Sequence, residues 1–264
     1  VIDMHTIRDV AQFLNVLAPP ALAESWDNVG LLVGRNAQPI ERLMTCLTVT
    51  PDSAAEAIER RANLIVSHHP LPFRPLKRVT CETSEGRLLL DLIGAGIAVF
   101  SAHTAFDSAE RGINQQWAER LQLRNVAPLL PAAEPGQGAG RCGQLEAELS
   151  LAEWAARVKQ LLALEHVQAA GRLDARVRGV AVACGSAGEF LGPTQAAGCD
   201  CLVTGEVRFH TCLEAESLGV GLILVGHFAS ERFGVEQLAA VLAEAFPALQ
   251  VWASQREKDP LRWL

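Results

Sequence analysis

Short apolar runs that stop abruptly at polar turns alternate along this chain with stretches of helical periodicity, and this alternation limits the fold more than any other feature. Residues 42–50, 64–67 and 97–101 read as buried strands. Residues 52–61, 84–94 and 112–123 carry apolar positions at helical spacing. A strand-helix-strand succession calls for crossover connections and so for largely parallel sheets. The fold class expected is therefore α/β.

The pattern opens with a helix at 6–17 (Ile7, Val10, Phe13, Leu14, Leu17) that stops before Pro19-Pro20. A loop with Trp26, Asp27 and Asn28 then enters a short apolar strand ending at Gly34. Residues 131–143 (PAAEPGQGAGRCG) read as a connection, because Pro and Gly punctuate chains. Beyond it the alternation resumes. Helices are expected at 151–164, 190–197, 210–218 and 235–246, and strands at 177–184, 201–204 and 222–225. The two halves share a rhythm, so two similar α/β domains are expected, each a mixed sheet flanked by helices. The first comprises 1–125 with 226–264 and the second 126–225.

Composition narrows the function classes. An apolar fraction of 49% with 20% charged residues suits a chain that buries a core. No apolar run reaches the roughly 18–20 residues of a membrane helix, and the start, VIDMHTIRDV, lacks the basic end and apolar stretch of a secretory signal. With 30 acidic against 23 basic residues, the net charge of −7 argues against a non-specific nucleic-acid binder. The pairs Lys77-Arg78 and Arg60-Arg61 read as solvated surface. Seven scattered cysteines without a C-x-x-C pair, Cys199 and Cys201 among them, read as small buried hydrophobes in a reducing cytoplasm.

Candidate chemistry gathers where open α/β sheets place it, at the carboxyl ends of strands. Ser67-His68-His69-Pro70 follows one strand, and adjacent imidazoles leaving a strand can serve neighbouring ions. His103-Thr-Ala-Phe-Asp107 follows another; Asp107 suits a ligand or a helix cap, and His103 a ligand or proton carrier. Gly226-His227-Phe-Ala-Ser-Glu231 sets two donors four residues apart, about one turn if a helix begins there. Thr204-Gly-Glu206 with His210 has an acid/base character, with a capping Glu and a surface His as the alternative. Five of the seven histidines lie at such ends. The inventory His68, His69, Asp107, His227 and Glu231 gives each of two ions three ligands if Glu231 bridges, leaving positions open to water as in catalytic sites. Gly185-Ser-Ala-Gly188 reads as a tight turn.

WDNVGLLVG, SHHPLPF, HTAFD with the later RGIN, GSAG, TGEVRFH and GHFASE stand in the order seen in the YbgI-like dinuclear metal-binding family, the type 2 homologues of GTP cyclohydrolase I, and the chain resembles that family from about Leu14 to Pro260. The resemblance implies two similar α/β domains, a toroidal homohexamer and a dinuclear centre facing its cavity. His69 and Asp107 would hold one ion, His68 and His227 the other, and Glu231 would bridge. The interval from Leu123 to Val177 is too short for the inserted domain of some relatives, which implies the compact form. GSAG and TGE, where many relatives have TGD, are mild departures.

The function expected is metal-dependent hydrolysis of a nucleotide-like substrate, with GTP ring opening as the family's proposed reaction. His103, or Glu206 with His210, would carry protons. The ions would be divalent: zinc, iron, manganese or cobalt. The alternative is a non-catalytic metal-binding, storage or chaperone ring. The partners expected are further copies of the chain and a nucleotide, with no nucleic acid and no membrane.

Overall fold

The computed structural model describes residues 5–262. Residues 1–4 and 263–264, which the expected first domain includes and on which the reading of the chain start partly rests, lie outside the described residues. The chain forms two compact units, 1–106 with 232–264 and 107–231. The passage out falls inside helix α4 (His103–Ser108) and the return inside helix α9 (His227–Ala245). The sequence pattern had placed these passages at 125/126 and 225/226. The first difference comes from α5 (Ile113–Arg120), which packs on strands of the second sheet, and the second from α9, which begins at His227.

The first unit is a five-stranded sheet. Its strands are β1 (Gly30–Val33), β2 (Arg42–Cys46), β3 (Leu64–Ser67), β4 (Ala98–Ser101) and β11 (Gln250–Ala253), ordered β1-β4-β3-β2-β11. Only β1 runs antiparallel, against β4. β3 and β4 are buried at every position, as strands covered on both faces must be. Met44, Ile65 and Val99 share a core with α2 (Pro51–Glu59) and α3 (Ser84–Gly94), through Ala54, Ala57, Leu89 and Leu92. A capping box between Thr50 and Ser53 starts α2, an arrangement worth about 1 kcal/mol. Thr45, which alternation turns to the opposite face, donates to the Val235 carbonyl of α9 (2.8 Å). α1 (Ile7–Leu17) buries Ile7, Val10, Ala11 and Leu14.

The second unit is a six-stranded sheet of β5 (Arg124–Pro131), β6 (Gly138–Ser150), β7 (Gln168–Ala170), β8 (Arg176–Ser186), β9 (Cys201–Glu206) and β10 (Gly221–Leu224), ordered β5-β6-β8-β9-β10-β7. β8, β9 and β10 are parallel, and the outer strands pair antiparallel. α5, α6 (Leu151–Leu161), α7 (Leu191–Ala196) and α8 (Phe209–Leu218) flank it. The interval before β8 is filled by this sheet and α6, so the chain is the compact form. No helix among the described residues is long and apolar enough to cross a membrane.

One expected connection is a strand. Residues 138–143 form the start of β6, paired with β5 across a short turn. The glycines serve close approach as much as turning: a Cβ on Gly138 would collide with the Leu130 carbonyl, and one on Gly143 would lie 2.9 Å from the Arg124 carbonyl. Arg141, fully buried, fastens the hairpin. Its guanidinium donates to the carbonyls of Gly138 (2.7 Å), Gly140 (2.7 Å), Ala109 (2.8 Å) and Gly136 (3.0 Å) and to Gln115 Oε1 (3.0 Å). Replacing Arg141 by Ala strands these buried acceptors and is expected to destabilise the metal-free protein by about 3 kcal/mol or more in urea unfolding. Arg141→Lys is expected to recover only part of this, because an ammonium cannot reproduce the planar fork. An unchanged unfolding midpoint in Arg141→Ala would show that the hairpin stands without its clamp.

Candidate metal centre

In the first unit the parallel register sets the site. Ser67 of β3 pairs with Ser101 of β4, so the residues leaving both strands emerge side by side. Ser101 Oγ donates to the His68 carbonyl (2.6 Å) and fixes the exit of β3. His68, His69 and His103 follow, with ring centroids 5.2–5.5 Å apart. Each offers a nitrogen within 4.8 Å of the other two, so this group could hold a metal ion.

Polar groups behind the rings fix their orientation. Thr48 Oγ1 lies 2.7 Å from His69 Nδ1. The Thr48 and Leu47 amides in turn donate to the carboxylate of Glu257 (2.6 and 2.8 Å), whose pKa burial raises against these bonds. The Asp27 side chain is buried and receives His103 Nδ1 at 2.7 Å, Thr104 Oγ1 at 2.5 Å and the Thr104 amide at 3.1 Å. Burial by itself would raise the Asp27 carboxyl, but the bonds from His103 and Thr104 outweigh it and bring it down to about 2. An ionised Asp27 keeps the proton on Nδ1 of His103 and leaves the Nε2 lone pair for a ligand or a proton. His103 sits at φ 25°, a sparsely populated conformation that costs about 1–3 kcal/mol and persists where surrounding contacts over-determine it.

The second unit repeats the scheme at the carboxyl ends of β8, β9 and β10. α9 begins at His227, so His227 and Glu231 fall one turn apart, with Nε2 and Oε2 at 3.0 Å. Adjacent ligand atoms around an ion at about 2.1 Å are separated by roughly this distance, so the pair suits a shared ion. Glu206, at the end of β9, takes His227 Nδ1 at 2.9 Å. Glu231 raises the His227 pKa against the effect of burial, and Glu206 adds to it, to about 9. Asp107 accepts from the Cys184 thiol (3.1 Å), whose pKa burial and then the Asp107 and Glu231 charges push well up. Gly185, read from the sequence as a tight turn, lies instead in the end of β8, at φ +67° where the pairing with β9 shifts register, and a Cβ there would run into the Glu231 carboxylate. Its amide donates to Ser230 Oγ (2.9 Å).

The strand ends named from sequence thus gather His68, His69 and His103 in one unit and Asp107, Glu206, His227 and Glu231 in the other. His210 is the exception: it is exposed on α8 beside Phe209. Glu206 bonds His227. Sequence reasoning missed Asp27, Thr48, Cys184, Ser230 and Glu257, whose partners stand far away in the chain. The WDN triplet before an apolar strand was the one available signal for Asp27.

Two mixed α/β units with imidazoles and carboxylates at their strand ends define an α/β protein with a candidate metal centre. The family follows from comparison. Residues 5–260 match the model of the Duf34/NIF3 (NGG1p interacting factor 3) family, and the chain belongs to it. A Clostridium acetobutylicum protein named GTP cyclohydrolase 1 type 2 homolog is 30% identical over 263 residues, covering 97% of this chain and 98% of that protein. Among solved structures, a Bacillus cereus protein related to NIF3 superposes with a TM-score of 0.90 at 23% identity, over 99% of both chains. The protein ybgI superposes at 0.83 with 22% identity, over 97% of this chain and 100% of that one. Both show the same fold.

In metal-free protein the His227 imidazole is expected to titrate near pH 9 by NMR rather than near 6.5, and Glu231→Gln to bring it down. Because the folded pKa is the raised one, the stability this pairing contributes is complete below about pH 6.5 and is lost as pH climbs through about 9. A wild-type midpoint near 6.5 would refute the pairing.

Proposed function

We propose that this chain is a dinuclear metal-dependent hydrolase acting on a nucleotide-like substrate, with hydrolytic opening of the guanine ring of GTP as its reaction class. The observation that carries the reading is the set of three imidazoles at the β3 and β4 ends, with His103 held by the buried Asp27. By the family resemblance, His69 and Asp107 would hold one ion, His68 and His227 the other, and Glu231 both. The name of the Clostridium relative supports the substrate class.

Bound divalent ions would supply an activated water and polarise the electrophile. The chain's own residues do the rest. As the water oxygen bonds to the five-membered-ring carbon flanked by two nitrogens, His103 Nε2 takes one proton and passes it to the formerly double-bonded nitrogen. It then moves the proton of the new hydroxyl to the other nitrogen as that C–N bond breaks and a formamide is left. Asp27 keeps the imidazole in the tautomer able to do so. Glu206 orients His227, and Thr48 orients His69. Glu206 with His210 is the second candidate proton carrier. The family resemblance further carries the proposal of a toroidal homohexamer, and the cysteines outside any disulfide that of a cytoplasmic location.

Protein loaded separately with zinc, iron(II), manganese or cobalt is expected to turn over GTP, read by loss of purine absorbance. His103→Ala should lower kcat about 10²–10⁴-fold and Asp27→Asn about 10–100-fold. A fully metal-loaded protein that turns over no nucleotide, or a His68→Ala variant equal to wild type, would sink the hydrolase reading and favour a metal-storage role.

A further inference from the structure

Three aromatic side chains are exposed among the described residues, and two of them, Trp26 (59% exposed) and Phe73 (42%), converge on His103. The Trp26 ring lies 6.0 Å from Phe73 and 5.9 Å from His103, and Phe73 lies 6.0 Å from His103. Their loops are tied together. Asn28 Nδ2 donates to the Pro72 carbonyl at 2.7 Å, the Glu24 amide to Thr104 Oγ1 at 3.0 Å, and Asp27, next to Trp26, is locked onto His103 and Thr104. An indole left in water, held in place by flanking bonds rather than by burial, is preorganised to receive something flat. The loop that carries Phe73 continues through Arg74, Lys77 and Arg78, all exposed: three cations within five residues in a chain of net charge −7.

We propose that Trp26 and Phe73 form a stacking site for a planar heteroaromatic ring, and that the basic loop receives an anionic group joined to it. The ligand class is a nucleoside phosphate. This deepens the hydrolase reading by naming where the base binds, yet the binding requires neither metal nor turnover. Stacking on the indole places one edge of the ring toward His103, while the phosphate charge offsets that of Arg74, Lys77 and Arg78 in an otherwise acidic protein.

Isothermal titration of the full chain, metal-free and metal-loaded, with guanosine, GMP and ribose 5-phosphate tests this. GMP is expected to bind more tightly than guanosine. Trp26→Ala should weaken both by roughly 5- to 150-fold, the range of base–aromatic stacking, and leave ribose 5-phosphate unchanged. Trp26→Phe should restore most of the affinity. A Lys77→Ala/Arg78→Ala variant should weaken GMP and spare guanosine. Far-UV circular dichroism checks that the variants are folded. The proposal is overturned if wild type binds neither guanosine nor GMP, or if Trp26→Ala binds GMP as wild type does. It is also overturned if Trp26→Ala alters only the oligomeric mass in light scattering, which would make the patch an interface between copies. GMP binding that depends on Trp26 in a protein without turnover would uphold this site and contradict the hydrolase reading alone.

Discussion

The parallel pairing of β3 with β4 is the constraint on which the rest of the first unit depends. With Ser67 opposite Ser101, two chain segments more than thirty residues apart leave the sheet at one edge, and the imidazoles that follow are brought together by register alone. A slip of one residue would turn every side chain of a strand to its other face. It would also withdraw the Ser101 bond to the His68 carbonyl. The second unit uses the same device: β8, β9 and β10 are parallel, and Gly185, Glu206 and His227 stand at or just beyond their carboxyl ends.

Behind each donor stands a group that decides its orientation or charge. Asp27 serves His103, Thr48 serves His69 and Glu206 serves His227. The electrostatic outcomes differ in a way that matters for chemistry. His103 has a carboxylate partner, Asp27, on Nδ1, which leaves Nε2 on the other side of the ring. His227 has carboxylates at both nitrogens, which hold its proton to about pH 9. A metal ion held there would have to displace that proton, so its binding would strengthen with rising pH until His227 is deprotonated.

Much of this was legible in the sequence because parallel strands are buried on both faces and read as continuous apolar runs, while the residues that end them stand out as polar. His68, His69, His103, Asp107, Glu206, His227 and Glu231 were found in that way. The β5–β6 hairpin was not, because its glycines answer to the approach of neighbouring backbone and to the buried Arg141, which local pattern cannot show. Asp27 was hidden for a related reason: its carboxylate meets His103 76 residues later. The short strands β7 and β11, of three and four residues, owe their existence to pairing partners rather than to propensity. Helix α9 begins at His227, earlier than its apolar periodicity suggests, and that earlier start is what sets His227 and Glu231 one turn apart.

We propose that two ions are held by five named side chains. Anomalous diffraction at the absorption edge of the bound metal, from crystals of metal-loaded protein, tests it most directly. Two peaks are expected, one about 2.0–2.2 Å from donor atoms of His69 and Asp107 and the other from those of His68 and His227, with Glu231 oxygens reaching both. A single peak, or peaks remote from these residues, would contradict it.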